Sequence, residues 1–324
     1  MPVQIAVSVD SIGDEEALQQ LVGERAEIRV VDLSTPERVA EATASAAAVV
    51  VALQPMSADR IAAFGDSVEV IGRAGVGLDT VDLDAAAARA VTVVHEPGYS
   101  TGEVADHAAA LLLACTRQVA AGDRAMRADG WVMADRLGRM PDLGAATLGV
   151  LGIGRIGSAL IARMRPFVRR IVAFDPAPAQ VPDGVELLDS LDDVLRAADL
   201  VSLHLPLTDA TRGLIGEREL ALARDGAVLV NVARGALVDE SALVAALAAG
   251  QLAGAGLDAF VGEPLGADSP LLTLPNVVLT PHLGGHSEGA AARLASWMLD
   301  DVIAHLQRRE LPHGRYAAGP FVRA

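Results

Sequence analysis

The sequence contains no lysine, so all 26 of its basic side chains are arginine. Schiff-base catalysis, attachment of pyridoxal phosphate and a Walker-type phosphate loop each require a lysine amine and are therefore excluded. Cys115 is the one cysteine among 324 residues, so neither an intrachain disulfide nor a cysteine-based zinc site can form. Because Cys115 stands in an apolar stretch, we interpret it as a small buried hydrophobe.

Aromatic residues make up only 3% of the chain although 52% of it is hydrophobic, so its cores must consist largely of alanine, valine and leucine. This scarcity argues against stacking of nucleic acid bases on the protein. Acidic residues outnumber basic ones by 42 to 26, and the net charge of −16 repels nucleic acid and anionic membranes alike. We therefore predict neither a nucleic acid partner nor a membrane partner.

Long hydrophobic runs are also missing, since none approaches the roughly 20 residues of a transmembrane helix. The first ten residues, MPVQIAVSVD, have neither a basic leader nor a long apolar core and do not resemble a signal peptide. These absences predict a cytoplasmic protein.

What the sequence does contain is a regular alternation of short apolar runs and amphipathic segments, which is typical of parallel α/β sheets. The early segments predicted in this way are strands over 4–9, 48–53 and 68–72, and helices over 14–22 and 36–44. A long helix is predicted from Thr101 to about Ala128.

The alternation then restarts with six apolar runs that we predict to be strands. They cover 147–151, 170–174, 200–203, 227–231, 254–257 and 277–280. Six such strands with intervening helices match the doubly wound nucleotide-binding fold. A last helix is predicted over 288–307, and the tail after Leu311, rich in glycine and proline, is predicted to be irregular.

A glycine motif, G-I-G-R-I-G, places Gly152, Gly154 and Gly157 between the first of these strands and a helix. In this context the glycines permit a tight turn, close approach of the backbone to a diphosphate, and packing of helix on strand. The N–H groups at the start of the helix would bind the diphosphate. Asp175 ends the next strand, 18 residues after Gly157, where its carboxylate would bind a ribose and repel a 2′-phosphate. The motif therefore predicts NAD rather than NADP.

Three polar residues follow later strands: Arg234 in N-V-A-R-G, Glu263 in D-A-F-V-G-E-P and His282 in T-P-H-L-G-G. Ligands bind at the carboxyl ends of strands in such sheets, so we expect the three to converge. Oxidation of a secondary alcohol needs a base with a pKa near neutrality, which favours His282. We assign Glu263 as its carboxylate partner and Arg234 as the two-pronged anchor of a substrate carboxylate. Taken singly, Arg234 and Glu263 would be interpreted as an ordinary surface ion pair.

These motifs, with A-D-L-V-S-L-H-L-P-L-T at 198–208, resemble the D-isomer-specific 2-hydroxyacid dehydrogenase family from about Arg73 to Gly285. The resemblance implies a D-specific oxidoreductase that transfers a hydride between NAD(H) and a small 2-hydroxy or 2-oxo acid. It also implies Arg234, Glu263 and His282 as the catalytic set. Besides the motif glycines, the residues that it places around NAD are Arg155, Ile156, Asp175, Pro206, Thr211, Val232, Arg234, Asp258 and His282.

The stretch R-A-G-V-G-L-D, from Arg73 to Asp79, resembles the family's loop for the substrate carboxylate. Glycines allow backbone N–H groups to approach an anion closely in such a loop. The resemblance implies Val76 and Gly77 as substrate contacts, next to Arg234. Thr80 stands where the family usually has Asn or His, and Ser100 stands where it often has Asn. These two departures leave the identity of the acid open.

The resemblance further implies two doubly wound Rossmann-like α/β domains with a cleft between them. Residues 1–100 and 286–324 would form the substrate domain, and residues 101–285 the NAD-binding Rossmann domain. A homodimer is implied as well, with the helix after Thr101 in its interface.

Two alternative functions remain open. One is an NAD-sensing binding protein of the transcriptional corepressor type, whose relatives keep the same Arg, Glu and His. The other is an enzyme similar to the phosphite dehydrogenases. Formate dehydrogenases of this superfamily typically have Gln in place of Glu263, which speaks against formate.

The remaining histidines are given lesser roles. We interpret His107 as a structural hydrogen-bonding residue and His204 as a residue that borders the cofactor. His286 stands four residues after His282, but the glycines between them argue against one helix that carries both. We therefore predict no metal site.

Overall fold

A computed structural model describes residues 2–319 of the chain. These residues form two compact units. The first unit consists of the residues up to Ser100 together with those from Ser287 onward, and the second unit spans Thr101–His286.

Strands and helices are numbered in chain order. The strands are β1 (Val3–Ser8), β2 (Ala26–Val31), β3 (Ala48–Val51), β4 (Val70–Arg73), β5 (Thr92–His95), β6 (Thr147–Leu151), β7 (Arg170–Phe174), β8 (Glu186–Leu187), β9 (Leu200–Leu203), β10 (Ala227–Asn231), β11 (Leu252–Leu257), β12 (Val277–Leu279) and β13 (Arg315–Ala318). The helices are α1 (Glu15–Val22), α2 (Pro36–Thr43), α3 (Ala58–Ala62), α4 (Leu83–Ala88), α5 (Thr101–Thr116), α6 (Val119–Asp129), α7 (Arg155–Met164), α8 (Leu191–Ala197), α9 (Glu217–Leu222), α10 (Glu240–Ala248) and α11 (Glu288–Leu306).

The first unit is built on a sheet in the order β13-β5-β4-β3-β1-β2. The strands β1 to β5 are mutually parallel, and the order reverses between β1 and β3, as in doubly wound folds. One core cluster joins the sheet to α1 and α11, and another joins it to α2, α3 and α4. Helices on both faces explain why strands such as β3 are apolar at every position.

The prediction of an irregular tail after Leu311 was wrong, because that tail contains β13. This strand runs antiparallel to β5, with Arg315 opposite His95 and Tyr316 opposite Val94. Its hydrogen-bond partner lies far earlier in the chain, so the glycine and proline content of the tail did not reveal it. Residues 320–324 lie outside the described residues.

Two buried carboxyl groups meet in the first unit. Glu96, just after β5, and Asp301, in α11, both have no exposed surface. Asp301 accepts the backbone N–H groups of His313 and Gly314. Burial and the neighbouring Asp301 raise the pKa of Glu96 to about 9, although the charge of Arg315 opposes the rise. Glu96 is therefore a neutral acid at pH 7.

We expect Glu96→Gln to make the free energy of unfolding less dependent on pH. The folded-state pKa of Glu96 lies above its unfolded value, so the folded protein keeps a proton that the unfolded chain releases, and stability falls as the pH rises from about 5 to about 9. The side-chain amide of glutamine does not titrate in this range. The stability of the variant relative to the wild type should therefore increase as the pH rises. Urea unfolding across this range measures the gain, with Glu24→Gln at an exposed position as the control. If the difference in free energy of unfolding between variant and wild type did not increase with pH, the raised pKa of Glu96 would be contradicted.

The second unit is built on a parallel sheet in the order β12-β11-β10-β9-β6-β7-β8. The order reverses between β6 and β9, where doubly wound sheets bind their ligands. The predicted fold class, α/β with two doubly wound sheets, is thereby confirmed. β8 was not predicted, because its two residues are both exposed and form no apolar run.

The long helix predicted from Thr101 is in fact two helices, α5 and α6. The break lies at Gln118, which has a left-handed φ of 53° and donates its side-chain amide to the carbonyl oxygens of Cys115 and Arg139. The contact with Arg139 is tertiary and leaves no trace in the local pattern, so the single-helix prediction was wrong. No helix within residues 2–319 has both the length and the apolar character needed to cross a membrane.

Candidate active site

The seven strands of the second unit are parallel, so their carboxyl ends share one edge of the sheet. The predicted cofactor and catalytic residues of this unit lie at that edge. Directly or shortly after the strand ends come Gly152 (β6), Asp175 (β7), Pro206 (β9), Arg234 (β10), Asp258 and Glu263 (β11), and His282 (β12). The topology thus collects residues that are widely separated in the sequence.

Each motif glycine after β6 has a distinct structural reason. Gly152 has a φ of 92°, and a Cβ there would lie 2.8 Å from the carbonyl oxygen of His204. Gly157, in α7, packs so closely that a Cβ would stand 2.0 Å from the carbonyl oxygen of Gly152. Gly154 precedes α7, and a Cβ there would meet nothing within 4 Å. Two glycines therefore shape the turn, and the third leaves open space at the helix N-terminus, as a bound diphosphate requires.

Arg155 and Ile156 form the first turn of α7, directly after that open space. Arg155 is exposed, so its guanidinium is accessible to an anion at the helix N-terminus, and Ile156 is half-buried. The arrangement suits the cofactor contacts that were predicted for both residues.

Asp175 is held at the end of β7 by two backbone groups. Its Oδ2 accepts the N–H of Ile153 at 2.9 Å, and its Oδ1 accepts the N–H of Ala177 at 3.0 Å. A carboxylate oxygen accepts about two hydrogen bonds, so each oxygen keeps capacity for a ribose hydroxyl. The fixed negative charge beside the glycine turn suits NAD better than NADP.

The loop after β9 carries Pro206 and Thr211. The hydroxyl of Thr211 donates to the carbonyl oxygen of Pro206 at 2.7 Å and accepts the N–H of Thr208 at 2.8 Å. Thr211 therefore closes the loop, and its contact with a cofactor stays a prediction. Burial lowers the pKa of the neighbouring His204 to about 4, so that ring is neutral at pH 7 and hydrogen-bonds Ser202.

Arg234 lies in a loop that is shaped by its neighbours. The buried side chain of Asn231 donates to the carbonyl oxygen of Arg234 at 2.8 Å and accepts the N–H of Ala233 at 3.0 Å. Gly235 lies against the backbone of Phe260, where a Cβ would stand 2.0 Å from the carbonyl carbon. Val232, the predicted cofactor contact in this loop, is 9% exposed. This role of Asn231 was not predicted from the sequence, where the signal was an amide at the end of an otherwise apolar strand.

Glu263 and His282 form a hydrogen-bonded pair. The distance from Nδ1 of His282 to Oε2 of Glu263 is 2.7 Å, and both side chains are about one-third exposed. Oε1 of Glu263 accepts the N–H of Phe260 at 3.0 Å. Burial by itself would raise the pKa of Glu263, but these hydrogen bonds and the charges of His282 and Arg234 lower it.

The pair has a clear chemical consequence. An ionised Glu263 holds the imidazole proton of His282 on Nδ1 and fixes the orientation of the ring. Nε2 is then the nitrogen that exchanges a proton with a ligand. The charge of Arg234 also lowers the pKa of Glu263, so the guanidinium lies near this pair.

The backbone of His282 is left-handed, with a φ of 51°. This conformation costs an L-residue about 1–2 kcal/mol and persists only where the surroundings impose it. Asp258 holds the two residues that follow, since its Oδ1 accepts the N–H of Leu283 at 2.9 Å and its Oδ2 accepts the N–H of Gly284 at 2.8 Å. The second role predicted for Asp258, a contact with the cofactor, stays a prediction.

Asp258 is ionised although it is only 2% exposed. Burial by itself would raise its pKa, but hydrogen bonds from His107 and Thr280 and from two backbone N–H groups outweigh burial and lower it. A buried carboxylate with this many donors is a rigid anchor for the loop that carries His282.

The predicted substrate loop lies in the first unit, after β4. Val76 and Gly77 are half-buried there, and the carbonyl oxygen of Val76 accepts a hydrogen bond from Nδ1 of His95 at 3.0 Å. Gly75 has a φ of 145° and packs on the buried guanidinium of Arg73, where a Cβ would clash with Nη1. A positive charge next to a glycine-rich loop favours an anion, and the contact with substrate stays a prediction.

Comparison with known proteins agrees with this geometry. Residues 109–284 match the family model described as D-isomer specific 2-hydroxyacid dehydrogenase, NAD binding domain. The D-3-phosphoglycerate dehydrogenase of Mycobacterium tuberculosis is 40% identical over 304 residues, which are 93% of this chain and 57% of the relative. The hydroxypyruvate reductase of Thermotoga maritima is 35% identical over 303 residues, which are 93% of this chain and 98% of the relative.

Among solved structures, a glyoxylate reductase from Paecilomyes thermophila matches with a TM-score of 0.86 and 30% identity. The match covers 97% of this chain and 98% of that one. The chain spans little more than half the length of the phosphoglycerate dehydrogenases that it resembles.

Proposed function

Because the chain belongs to the D-isomer-specific 2-hydroxyacid dehydrogenase family, we propose that it interconverts a small 2-hydroxy acid and the matching 2-oxo acid with NAD(H), with specificity for the D-isomer. The observation that carries this proposal is the hydrogen bond between His282 and Glu263, at the sheet edge that also bears the glycine turn. We assign residues 101–285 as the NAD-binding domain and residues 1–100 with 286–324 as the substrate domain.

When bound, NAD(H) supplies or accepts the hydride. The glycine turn and Asp175 fit a dinucleotide, since the turn leaves room for a diphosphate and the carboxylate keeps acceptors for a ribose. The residues assigned to hold the cofactor are Gly152, Gly154, Arg155, Ile156, Gly157, Asp175, Pro206, Thr211, Val232, Arg234, Asp258 and His282.

His282 carries the proton. In the reductive direction its Nε2 donates to the carbonyl oxygen of the 2-oxo acid, and in the oxidative direction it accepts the hydroxyl proton. Glu263 stabilises the imidazolium form that alternates with the neutral ring. Arg234 binds the substrate carboxylate through two N–H groups and polarises the carbonyl, and we assign Val76 and Gly77 as further carboxylate contacts.

Assays of NADH oxidation with glyoxylate, pyruvate and hydroxypyruvate test the proposal. We expect turnover of at least one of these acids, and no turnover of any 2-oxo acid would contradict it. Turnover of phosphite alone would favour the phosphite dehydrogenase alternative. A stable protein partner that responds to NADH, without turnover, would favour the corepressor alternative.

We expect Asp175→Asn to shift the cofactor preference toward NADPH. The change removes charge-assisted hydrogen bonds to the ribose, worth about 1.5–3 kcal/mol, and also the repulsion of a 2′-phosphate. The ratio of kcat/KM for NADH to that for NADPH should therefore fall at least about tenfold. Asp189→Asn, at an exposed position of the same unit, serves as the control. An unchanged ratio would show that Asp175 does not contact the ribose.

We also propose a homodimer whose interface includes α6 and the segment after it. No residue of α6 is buried, and apolar side chains are exposed along this stretch: Val119 (61%), Met126 (45%), Trp131 (82%) and Met133 (64%). Such a concentration marks an interaction surface, which a second copy of this chain would cover. Analytical sedimentation of the wild type and of Trp131→Glu tests this proposal, and we expect the variant to form a weaker dimer. A variant dimer as stable as that of the wild type would contradict it.

We further propose a cytoplasmic location. A single cysteine gives the chain no intrachain disulfide, so its fold does not depend on an oxidising compartment. Cell fractionation tests this, and recovery outside the cytoplasmic fraction would contradict it.

A further inference from the structure

A side chain from α5 reaches the loop that carries His282. His107 places its Nε2 2.9 Å from Oγ1 of Thr280 and 3.3 Å from Oδ1 of Asp258. Oγ1 of Thr280 in turn lies 2.6 Å from the same oxygen of Asp258. The three side chains therefore form one hydrogen-bonded cluster within the second unit.

The direction of each hydrogen bond follows from the donors available. Ionised Asp258 can only accept, so the hydroxyl of Thr280 donates its single hydrogen to Asp258. The oxygen of Thr280 is then the acceptor for His107, which must carry a proton on Nε2. Nε2 of His107 thus donates to Oγ1 of Thr280 and also faces Oδ1 of Asp258 directly, so it contacts both groups that hold the loop.

The cluster holds the catalytic loop on both sides of His282. Thr280, before His282, donates to Asp258, and the N–H groups of Leu283 and Gly284, after it, donate to the same carboxylate. The fit is tight, because a Cβ on Gly284 would lie 2.8 Å from Asp258 and 3.4 Å from the ring of His107. The chain is therefore hydrogen-bonded to the buried carboxylate of Asp258 both before and after His282, the residue with the left-handed backbone.

We propose that His107 is a positioning residue for His282 and acts through Thr280 and Asp258. Without the donor on His107, Oγ1 of Thr280 and Oδ1 of Asp258 each lose a hydrogen-bond partner, and the attachment before His282 weakens. The backbone of His282 then relaxes from its strained conformation, and Nε2 leaves the place from which it transfers a proton. A displacement of about 1 Å at such a group lowers the rate by about 10²-fold. This kinetic consequence rests on the proposed function, whereas the structural one does not.

The first experiment compares two replacements of His107. His107→Phe keeps a ring but removes the donor, and we expect kcat to fall about 10- to 100-fold while the KM for NADH changes far less. His107→Gln puts an amide donor near the place of Nε2 and should recover most of the rate. Thr116→Val removes a hydroxyl that bonds the carbonyl oxygen of Leu112 in the same helix, and it should leave kcat unchanged. Equal losses in the Phe and Gln variants would overturn the proposal.

A double-mutant cycle tests the route through Thr280. Thr280→Val removes one of the two groups on which His107 acts, so adding His107→Phe should lower kcat by a smaller factor than it does in the wild type. Losses that multiply would show that His107 acts independently of Thr280 and would overturn the route.

Amide hydrogen exchange supplies a readout that does not depend on activity. The N–H groups of Leu283 and Gly284 should exchange at least about tenfold faster in His107→Phe than in the wild type, His107→Gln or Thr116→Val. A wild-type enzyme that turns over no 2-oxo acid would refute the proposed function alone, because exchange still reports on the loop. Unchanged exchange in folded His107→Phe would overturn the positioning role itself.

Discussion

Replacement of His282 by Asn is expected to lower kcat for 2-oxo acid reduction by about 10³-fold, while the affinity for NADH stays within a few-fold of the wild-type value. Asn carries no exchangeable ring proton, so the general acid is lost. It also tolerates the left-handed φ of 51° better than most residues, so the loop keeps its conformation and the loss is chemical. Absorbance of NADH measures turnover, and quenching of protein fluorescence measures cofactor binding.

The matched control is His286→Asn, which changes an exposed histidine four residues further along the chain. We expect it to retain the wild-type kcat. If His282→Asn kept a tenth or more of the wild-type rate, the assignment of His282 as the proton carrier would be wrong.

Replacement of Arg234 by Gln is expected to lower kcat/KM for the 2-oxo acid by about 10³-fold. The variant loses two charge-assisted hydrogen bonds to the substrate carboxylate, each worth about 1.5–3 kcal/mol. Arg234→Lys restores the charge without the planar fork, so its kcat/KM should lie between those of wild type and Arg234→Gln. Arg196→Gln, which changes an exposed residue of the same unit, should leave kcat/KM unchanged.

The role of Arg234 has a second readout in substrate choice. The wild type should strongly prefer a 2-oxo acid to the corresponding 2-oxo amide, because the amide has no negative charge to bind. Arg234→Gln should lose most of that preference. A variant that kept the full preference for the acid would show that another group binds the carboxylate.

Local patterns sufficed to predict the glycine turn. The requirements of Gly152, Gly154 and Gly157 arise within a few residues of each other, and their spacing follows from the geometry of one strand, one turn and one helix. Asp175 was found in the same way, because the next strand in such a unit ends at a regular distance. The resemblance of the longer motifs to a known family, now confirmed, supplied the predictions of further cofactor contacts that spacing alone did not.

The features that were missed depend on partners far apart in the chain. The break at Gln118 depends on the carbonyl oxygen of Arg139, and β13 depends on the exposed edge of β5. Asn231 was visible as part of a motif, but only its two hydrogen bonds show that it shapes the loop of Arg234. His107 was predicted to be a structural hydrogen-bonding residue. Its partner, Thr280, lies 173 residues further along the chain and could be identified only from the fold.

Asp258 has two roles, one that the family resemblance predicts and one that the structure shows. The resemblance places it among the residues around NAD, and the structure shows it as the anchor of the His282 loop. The two roles are compatible, since Oδ2 accepts the backbone hydrogen bond from Gly284 and a carboxylate oxygen has room for about one more. A contact with the cofactor would then couple cofactor binding to the position of His282.

The most direct test of the account is transfer of deuterium from NADH labelled at C4 of the nicotinamide to a 2-oxo acid that the enzyme accepts. The labelled position has two faces, so both stereoisomers of the cofactor are used. We expect wild-type enzyme to give the D-2-hydroxy acid with deuterium at C2 from one of them, and His282→Asn to give almost none from either. A protein that binds NADH but transfers no deuterium to any 2-oxo acid would contradict the central claim.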